Sequence, residues 1–598
     1  MPPDPGLQAV VVVPARDEQE RIGVCLRALA EQRGVEPGAF EIVLVLDHCG
    51  DDTRARALEA SAHMSMPLIV FESDRPGVGY ARKLGMDHAC ERLFAAGRPH
   101  GLIASTDADS RVAPDWLATQ LLLAGEGARA IGGCIELDPT EAALLPPAVL
   151  EDRGIQARER LARVRTRAAR HRSTANGDVM HHQFSGASLA VTADTYRQVG
   201  GLPIGEALED EAMERVLEDR GIQILRTARV HVTTSARTSV RASRGLARDL
   251  ALADWRARRS FRASEFTAEE LMAQKTGPIS VILPAREVAG TIGPILDAVA
   301  ALRELGLVDE ILVVDAASQD GTALVAAAHG ATVLQEDDLL TAFGPARGKG
   351  DAMWRALSTA RGEIVVFLDA DTSDFSPSFV VGLLGPLLAD PEIRFVKGSF
   401  LRPMHVAGNV LPGQGGRVTE LVARPLLNLY APHLAGFDQP LAGELAARGD
   451  LLRGLSFPAG YGVEIANLID AAHVAGIDAL AQVDLGTRQN RHQPLRDLSA
   501  MSYAVMVAAA ARLGAAGLTP APTPGPLALP PQPGSTSVEL RQVPVLERPP
   551  LDSLAGLARG LADPLETPGD LEKVAERHVH ALELDAVVTR AALGHEEK

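Results

Sequence analysis

Three short motifs occur twice in the chain, in the same order and at similar separations. QAVVVVPARDEQERI at 8–22 is matched by PISVILPAREVAGTI at 278–292. EIVLVLDHCGDDT at 41–53 is matched by EILVVDAASQDGT at 310–322, and GLIASTDADS at 101–110 by GEIVVFLDADTS at 362–373. A repeat of this length is too long for a solenoid and reads as two homologous domains in tandem. The 598 residues agree, because a single hydrophobic core stops growing beyond roughly 250–300 residues.

Within each copy, short Val/Ile/Leu runs alternate with helical patterns such as ERIGVCLRALAEQ and TIGPILDAVAALREL. That alternation predicts α/β domains with mainly parallel, Rossmann-like central sheets covered on both faces. Ligands of such sheets bind beyond the carboxyl ends of the strands, where all three motifs fall. The expected organisation is a first domain over 1–245, a connecting segment over 246–275 and a second domain over 276–518. A Pro-rich linker over 519–550 (TPAPTPGPLALPPQP) and a helical tail over 551–598 follow.

The net charge of −18 argues against nucleic acid as a partner, since nothing offsets phosphate repulsion globally. Cys25, Cys49, Cys90 and Cys134 lack CxxC spacing, so neither a disulfide framework nor a zinc site is expected. MPPDPGLQ lacks the regions of a signal peptide. The apolar run 498–518 is interrupted by Arg512 and falls short of the ~20 apolar residues of a membrane span. A soluble, cytoplasmic protein is the expectation.

In the second half, Asp369 and Asp371 close the apolar run IVVFLDAD. Two carboxylates at i and i+2 on a fraying strand end suit a shared hard cation, which clamps a diphosphate. GPARGKGDAMWRAL at 344–357 places Arg347 and Lys349 in a Gly-rich loop opening a helix, a setting that favours phosphate. It lacks the GxxxxGK[ST] spacing of an ATPase loop. Glu464 lies in a tight segment with Gly460, Tyr461 and Gly462, placed to face a ligand. Arg417, Arg424, Arg488 and Arg491 are candidates for a basic pocket, with a helix-face ion pair the alternative for Arg424.

The ordered set LPARE (283–287), VDAASQDGT (314–322), GKGDAMWRAL (348–357), FLDAD (367–371), GGRVTELVARPLL (415–427), QPLAGELAARGDLL (439–452), PAGYGVEI (458–465) and AQVDLGTRQNRHQPL (481–495) resembles the retaining GT-A glucosyl-3-phosphoglycerate synthases. The resemblance covers about 278–515. It implies a GT-A domain that transfers glucose from UDP-glucose to 3-phosphoglycerate with retention, using Mg2+ or Mn2+. It implies Pro284, Ala285 and Glu287 at the uridine, Lys349 near the donor, and Asp371 of the Asp369/Asp371 pair on the metal. Gly416, Arg417 and Thr419 would hold the acceptor phosphate, with Glu464 near the transferred sugar and Arg488 in the same pocket. The family commonly has His where this chain has Asn490. His492, two residues on, is therefore a candidate metal ligand.

In the first half, Asp107 and Asp109 repeat the metal motif, and Pro14, Ala15, Asp17 and Asp47 repeat the nucleotide positions. FSGASLAV at 184–191 and GLPIGEALEDEAMERVL at 201–217 resemble the acceptor half of the large inverting GT-A superfamily. That likeness implies Asp210 as general base. His231 stands open between a metal or diphosphate role and a structural one. RPGVGYARKLG at 75–85 places Arg82 and Lys83 in the helix after a Gly-containing loop.

The expected partners are a nucleotide-sugar donor and a phosphorylated small-molecule acceptor, with no nucleic acid, no membrane span and a homodimer left open. Two alternatives stand beside this reading: a mannosyl-3-phosphoglycerate synthase using GDP-mannose, and a protein in which one GT-A copy is a non-catalytic binding module. A sugar nucleotidyltransferase would start with a GxGTR-type loop, where both copies here have Pro-Ala-Arg and an acid.

Overall fold

The computed structural model describes residues 2–36, 38–170, 179–205, 208–239, 245–402, 404–406, 409–411, 416–488, 495–515, 527–529, 539–541 and 546–554. The chain divides into two compact units, Met1–Arg258 and Arg259–Lys598. The division falls inside the segment 246–275, within a helix over Leu246–Arg259. No helix among the described residues is long and apolar enough to cross a membrane.

The first unit contains β1 (Ala9–Ala15), β2 (Phe40–Leu46), β3 (Leu68–Glu72), β4 (Leu102–Ser105), β5 (Ser110–Val112), β6 (Ala130–Leu137), β7 (Leu189–Thr192) and β8 (Ile224–Thr234), in the order β3-β2-β1-β4-β7-β6-β8-β5. The second contains β9 (Ser260–Arg262), β10 (Ile279–Ala285), β11 (Glu310–Asp315), β12 (Thr332–Gln335), β13 (Ile364–Phe367), β14 (Phe395–Leu401), β17 (Leu445–Arg448) and β19 (Leu480–Thr487). Its order, β12-β11-β10-β13-β17-β14-β19-β9, repeats that of the first sheet except at the edge, where β5 follows β4 and runs antiparallel to β8 but β9 precedes β10 and runs parallel to β19. A small pair, β15 (Met404–Val406) and β16 (Asn409–Leu411), follows β14, and β18 (Phe457–Pro458) follows β17.

The parallel expectation holds for the first four strands of each sheet, but β7 and β17 run antiparallel, so the sheets are mixed. The cause is an excursion at the ligand end. β6 ends there, the chain runs out through a helix over Pro147–Arg170, and β7 starts from the same end and returns between β4 and β6. Between β14 and β17 the second unit makes the corresponding excursion, carrying Gly416, Arg417 and Thr419.

The central strands are buried along their length, as AVVVVPA and FEIVLVL require. Proline normally removes a ladder hydrogen bond from a central strand, yet Pro14 and Pro284 stand in β1 and β10. β4 pairs with β1 only as far as Val12, and β13 with β10 only as far as Ile282. In each sheet the proline therefore lies where one neighbour has already ended, and the crevice opens at that point.

The Pro-rich segment ends on the second unit. β22 (Glu547–Arg548), which follows the pair β20 (Leu527–Leu529) and β21 (Glu539–Arg541), adds to β18. Of the expected tail, residues 555–598 lie outside the described residues.

Candidate active site

Four cations and four carboxylates gather at the open ends of β13, β14 and β19 in the second unit. Lys349 opens the helix Lys349–Leu357 after Gly348, whose φ of 118° glycine adopts without penalty. Its ammonium pairs with Asp369 Oδ1, and lies 3.0 Å from Glu464 Oε1. Arg488, just past β19, is fully buried. It donates to Asp369 Oδ2 at 2.9 Å, lies 3.4 Å from Asp371 Oδ1 and pairs with Glu444. Phe400 lies beneath its guanidinium, 5.1 Å from the ring centre. Lys397 on β14 is buried and donates to the Ala442 carbonyl at 2.8 Å. Arg402 completes the set beside Arg488.

The electrostatics follow from this packing. Burial works to raise the Asp369 pKa, but Lys349 and then Arg488 outweigh it and hold the carboxyl below the usual range. Burial alone would lower the Lys349 and Arg488 values. Their acid partners overturn that, so both stay charged. Lys397, with no carboxylate in ion-pair contact among the described residues, is lowered to about 8 by burial, while Glu444 is raised by burial. A methyl group on Gly443 would overlap both Asp369 and the Lys349 ammonium, so any side chain there would displace the ion pair.

The two DxD acids thus differ. Both oxygens of Asp369 are engaged by cations, whereas the Asp371 side chain is 55% exposed and lies 3.4 Å from Arg488. Asp371 thus presents a solvent-exposed hard oxygen donor of the kind Mg2+ or Mn2+ takes. Among the described residues no third His, Cys or carboxylate joins these acids. His492 and Asn490 lie outside the described residues.

The structure brings Lys349, Asp369, Asp371, Glu464 and Arg488 together. Pro284 and Ala285 end β10 at the crevice. Glu287 lies at a turn with φ 52°, accepting from the Gln319 backbone N–H at 2.9 Å. Gly416 has φ 72° and Thr419 is buried in a π-helical turn, while Tyr461 is exposed. Arg424 forms the helix-face pair with Glu420 at 2.9 Å. Lys397, Arg402 and Glu444 escape sequence reasoning. Glu444 stands in the quoted QPLAGE motif, the one signal that pointed to it.

The first unit repeats the logic with different residues. A cavity of about 1250 Å3 is lined by Pro14, Ala15, Asp47, Asp107, Asp109 and Asp210, among others. Buried Arg82, from the helix after β3, donates to Asp107 at 2.6 Å and Glu209 at 2.7 Å. Arg237, just past β8, lies 3.0 Å from Asp109 and 2.6 Å from Glu18. Each unit therefore pairs its first DxD acid with a cation from the helix after its third crevice strand, and sets an arginine beyond its last long strand. Asp109 is raised to about 7 by burial and then by Asp107. Asp210 accepts from the Gly186 N–H at 3.0 Å and is raised to about 6 by burial and then by Glu209. Buried Asp47 accepts from the Gly77 N–H at 3.1 Å. Asp17, at φ 52°, instead caps the turn after β2 through Gly50 N–H at 2.7 Å and does not line the cavity. His231 pairs with Glu136 at 3.0 Å.

Comparison with known proteins follows the same division. The glycosyl transferase family 2 model matches residues 10–185 and 280–395, one stretch in each unit. A glucosyl-3-phosphoglycerate synthase of Mycolicibacterium paratuberculosis is 42% identical over 308 residues, 50% of this chain and 92% of that protein. The solved mannosyl-3-phosphoglycerate synthase of Rubrobacter xylanophilus is 46% identical, covering 50% of this chain and 99% of that one, with a TM-score of 0.47. Glucosyl-3-phosphoglycerate synthase of Mycobacterium tuberculosis, solved with Mn2+, UDP-glucose and phosphoglyceric acid, is 40% identical. It covers 48% of this chain and 95% of its own, with a TM-score of 0.43. The chain belongs to the glucosyl-3-phosphoglycerate synthase family.

Proposed function

We propose that the second unit, a GT-A domain over about 276–518, transfers glucose from UDP-glucose to the hydroxyl of 3-phosphoglycerate with retention. The observation that carries this is the 42% identity across nearly the whole length of a synthase of that activity. The part-buried Lys349–Asp369–Arg488–Glu464 cluster at the strand ends supports it.

Asp371 would hold a divalent cation, which when bound would supply charge neutralisation for the leaving diphosphate. The chain's own residues do the rest. Lys349 and Arg488 keep Asp369 ionised and fixed, and Glu464, buried in the first turn of its helix, is held by Lys349 against the transferred sugar. Pro284, Ala285 and Glu287 line the uridine, while Gly416, Arg417 and Thr419 receive the acceptor phosphate.

The first unit (1–245) is read as a second GT-A transferase, of the inverting type. Asp210, with a pKa near 6, is an ionised base at neutral pH, and its place in the cavity with Asp107 and Asp109 suits an acceptor hydroxyl.

The acceptor assignment is tested with Arg417→Ala in the full chain. The acceptor KM should rise about 10- to 100-fold with the UDP-glucose KM unchanged, since the loss is of ground-state binding. An unchanged acceptor KM places the phosphate elsewhere. Parallel assays with GDP-mannose separate the glucosyl from the mannosyl reading.

A further inference from the structure

The helix Pro147–Arg170 sorts its charges by face. Leu150, Arg153, Ala157, Arg160, Arg163 and Val164 recur at helical spacing and line the first unit's cavity, whereas Glu151, Asp152 and Glu159 do not. This face carries arginines into a cavity and turns its acids away from it.

Most other charges on the cavity wall are already paired. Arg167 lies 2.9 Å from Glu218, Arg215 lies 3.5 Å from Glu211, and Arg226 takes Glu214 at 2.5 Å. At the DxD acids, Arg82 and Arg237 are taken by Asp107, Glu209, Asp109 and Glu18. No ion pair involves Arg153, Arg160 or Arg163 among the described residues. Burial and then Arg160 lower the Arg153 pKa, with Asp249 offsetting part of the effect. Two guanidinium groups repelling one another inside a cavity mark a place where an anion is wanted.

The position fits an acceptor better than a donor. The helix lies in the ligand-end excursion between β6 and β7, whereas Pro14 lies at the end of β1 and Asp47 follows β2 on the other side of β4 in the sheet, and the helix shares the cavity with Asp210. Three arginines beside Asp249, which Arg248 also neutralises, leave a net positive patch that suits the dianion of a phosphate monoester. Guanidinium forks suit its three oxygens.

We propose that Arg153, Arg160 and Arg163 bind the phosphate monoester of an anionic acceptor in the first unit, placing its hydroxyl toward Asp210. This rests on the transferase reading of that unit, but the site itself is tested without turnover. The full chain is treated with phenylglyoxal, and the modification rate of each arginine is followed by mass spectrometry. Inorganic phosphate, 3-phosphoglycerate and phosphatidic acid in phosphatidylcholine vesicles are the three probes, each against chloride at equal ionic strength.

A bound phosphate slows modification by the factor 1 + [L]/Kd, so protection of Arg153 and Arg160 should reach about threefold at twice Kd. Arg158, on the same helix but off the cavity, should be unaffected. Protection by the two soluble probes assigns a soluble acceptor, and protection by vesicles alone assigns a lipid-borne one. Equal rates under all three probes and chloride overturn the proposal. Protection that persists in a chain whose first unit transfers no sugar keeps the phosphate site and removes the transferase reading.

Discussion

Arg548 meets both oxygens of Asp351, Nε at 3.0 Å from Oδ1 and Nη2 at 2.8 Å from Oδ2, across 197 residues of chain. Both side chains are buried. Asp351 lies two residues after Lys349, and Trp354 of the same helix donates to the Pro549 carbonyl at 2.9 Å. The segment after the Pro-rich stretch thus fastens the helix that presents Lys349 to the site.

Removing one partner of a buried pair leaves the other charge uncompensated, which costs about 3–5 kcal/mol. Arg355 also reaches Asp351, at 3.1 Å, which places Arg548→Ala toward the lower end. Urea denaturation should show a loss of about 3 kcal/mol, and Asp351→Asn, which removes the charge partner of both Arg548 and Arg355, should lose at least as much. A loss of under about 0.5 kcal/mol, typical of a surface change, contradicts the buried pair.

Asp371 and Asp369 should behave differently despite sharing one motif. Asp371→Asn removes an exposed oxygen, so the fold and melting temperature should stay unchanged while metal-dependent transfer falls by about 10³-fold. Asp369→Asn removes the carboxylate charge that part-buried Lys349 and buried Arg488 share, leaving each with fewer acid partners, and should lower the melting temperature by several degrees. Equal thermal effects of the two substitutions would contradict the assigned roles.

Asp210 gives a pH test. Its carboxyl is raised from 3.8 to about 6 by burial and then by Glu209, so the folded chain holds that proton more tightly than the unfolded one. The resulting stabilisation is complete below the unfolded value and is lost as pH rises through about 6. Asp210→Asn keeps the shape without the titration. The stability of the natural chain relative to this variant should therefore decline between about pH 4 and about pH 6. A flat difference over that window contradicts the raised value.

What the sequence disclosed was local or repeated. The three paired motifs gave the duplicated α/β plan, and IVVFLDAD and PAGYGVEI pointed to Asp369, Asp371 and Glu464. The antiparallel β7 and β17 were hidden, because strands of four residues, LAVT and LAAR, carry no sign of direction. The charge partners were hidden too. Arg82 could be seen in its helix, but Glu209 lies 127 residues away, and Arg237 reaches Glu18 across 219. No periodicity links such residues; the sheet order alone brings them together. Lys397 reads as an interruption in an apolar strand until Ala442 appears as its acceptor.

The central claim is that the second unit carries transfer to 3-phosphoglycerate, and one paired measurement tests it. Full-length Asp210→Asn and full-length Glu464→Gln are each incubated with UDP-glucose, 3-phosphoglycerate and Mg2+ or Mn2+, and the product is read by NMR. The account predicts α-linked glucosyl-3-phosphoglycerate from Asp210→Asn at the natural chain's rate, and a rate at least about 10²-fold lower from Glu464→Gln. The reverse pattern, or a β-linked product, would contradict it.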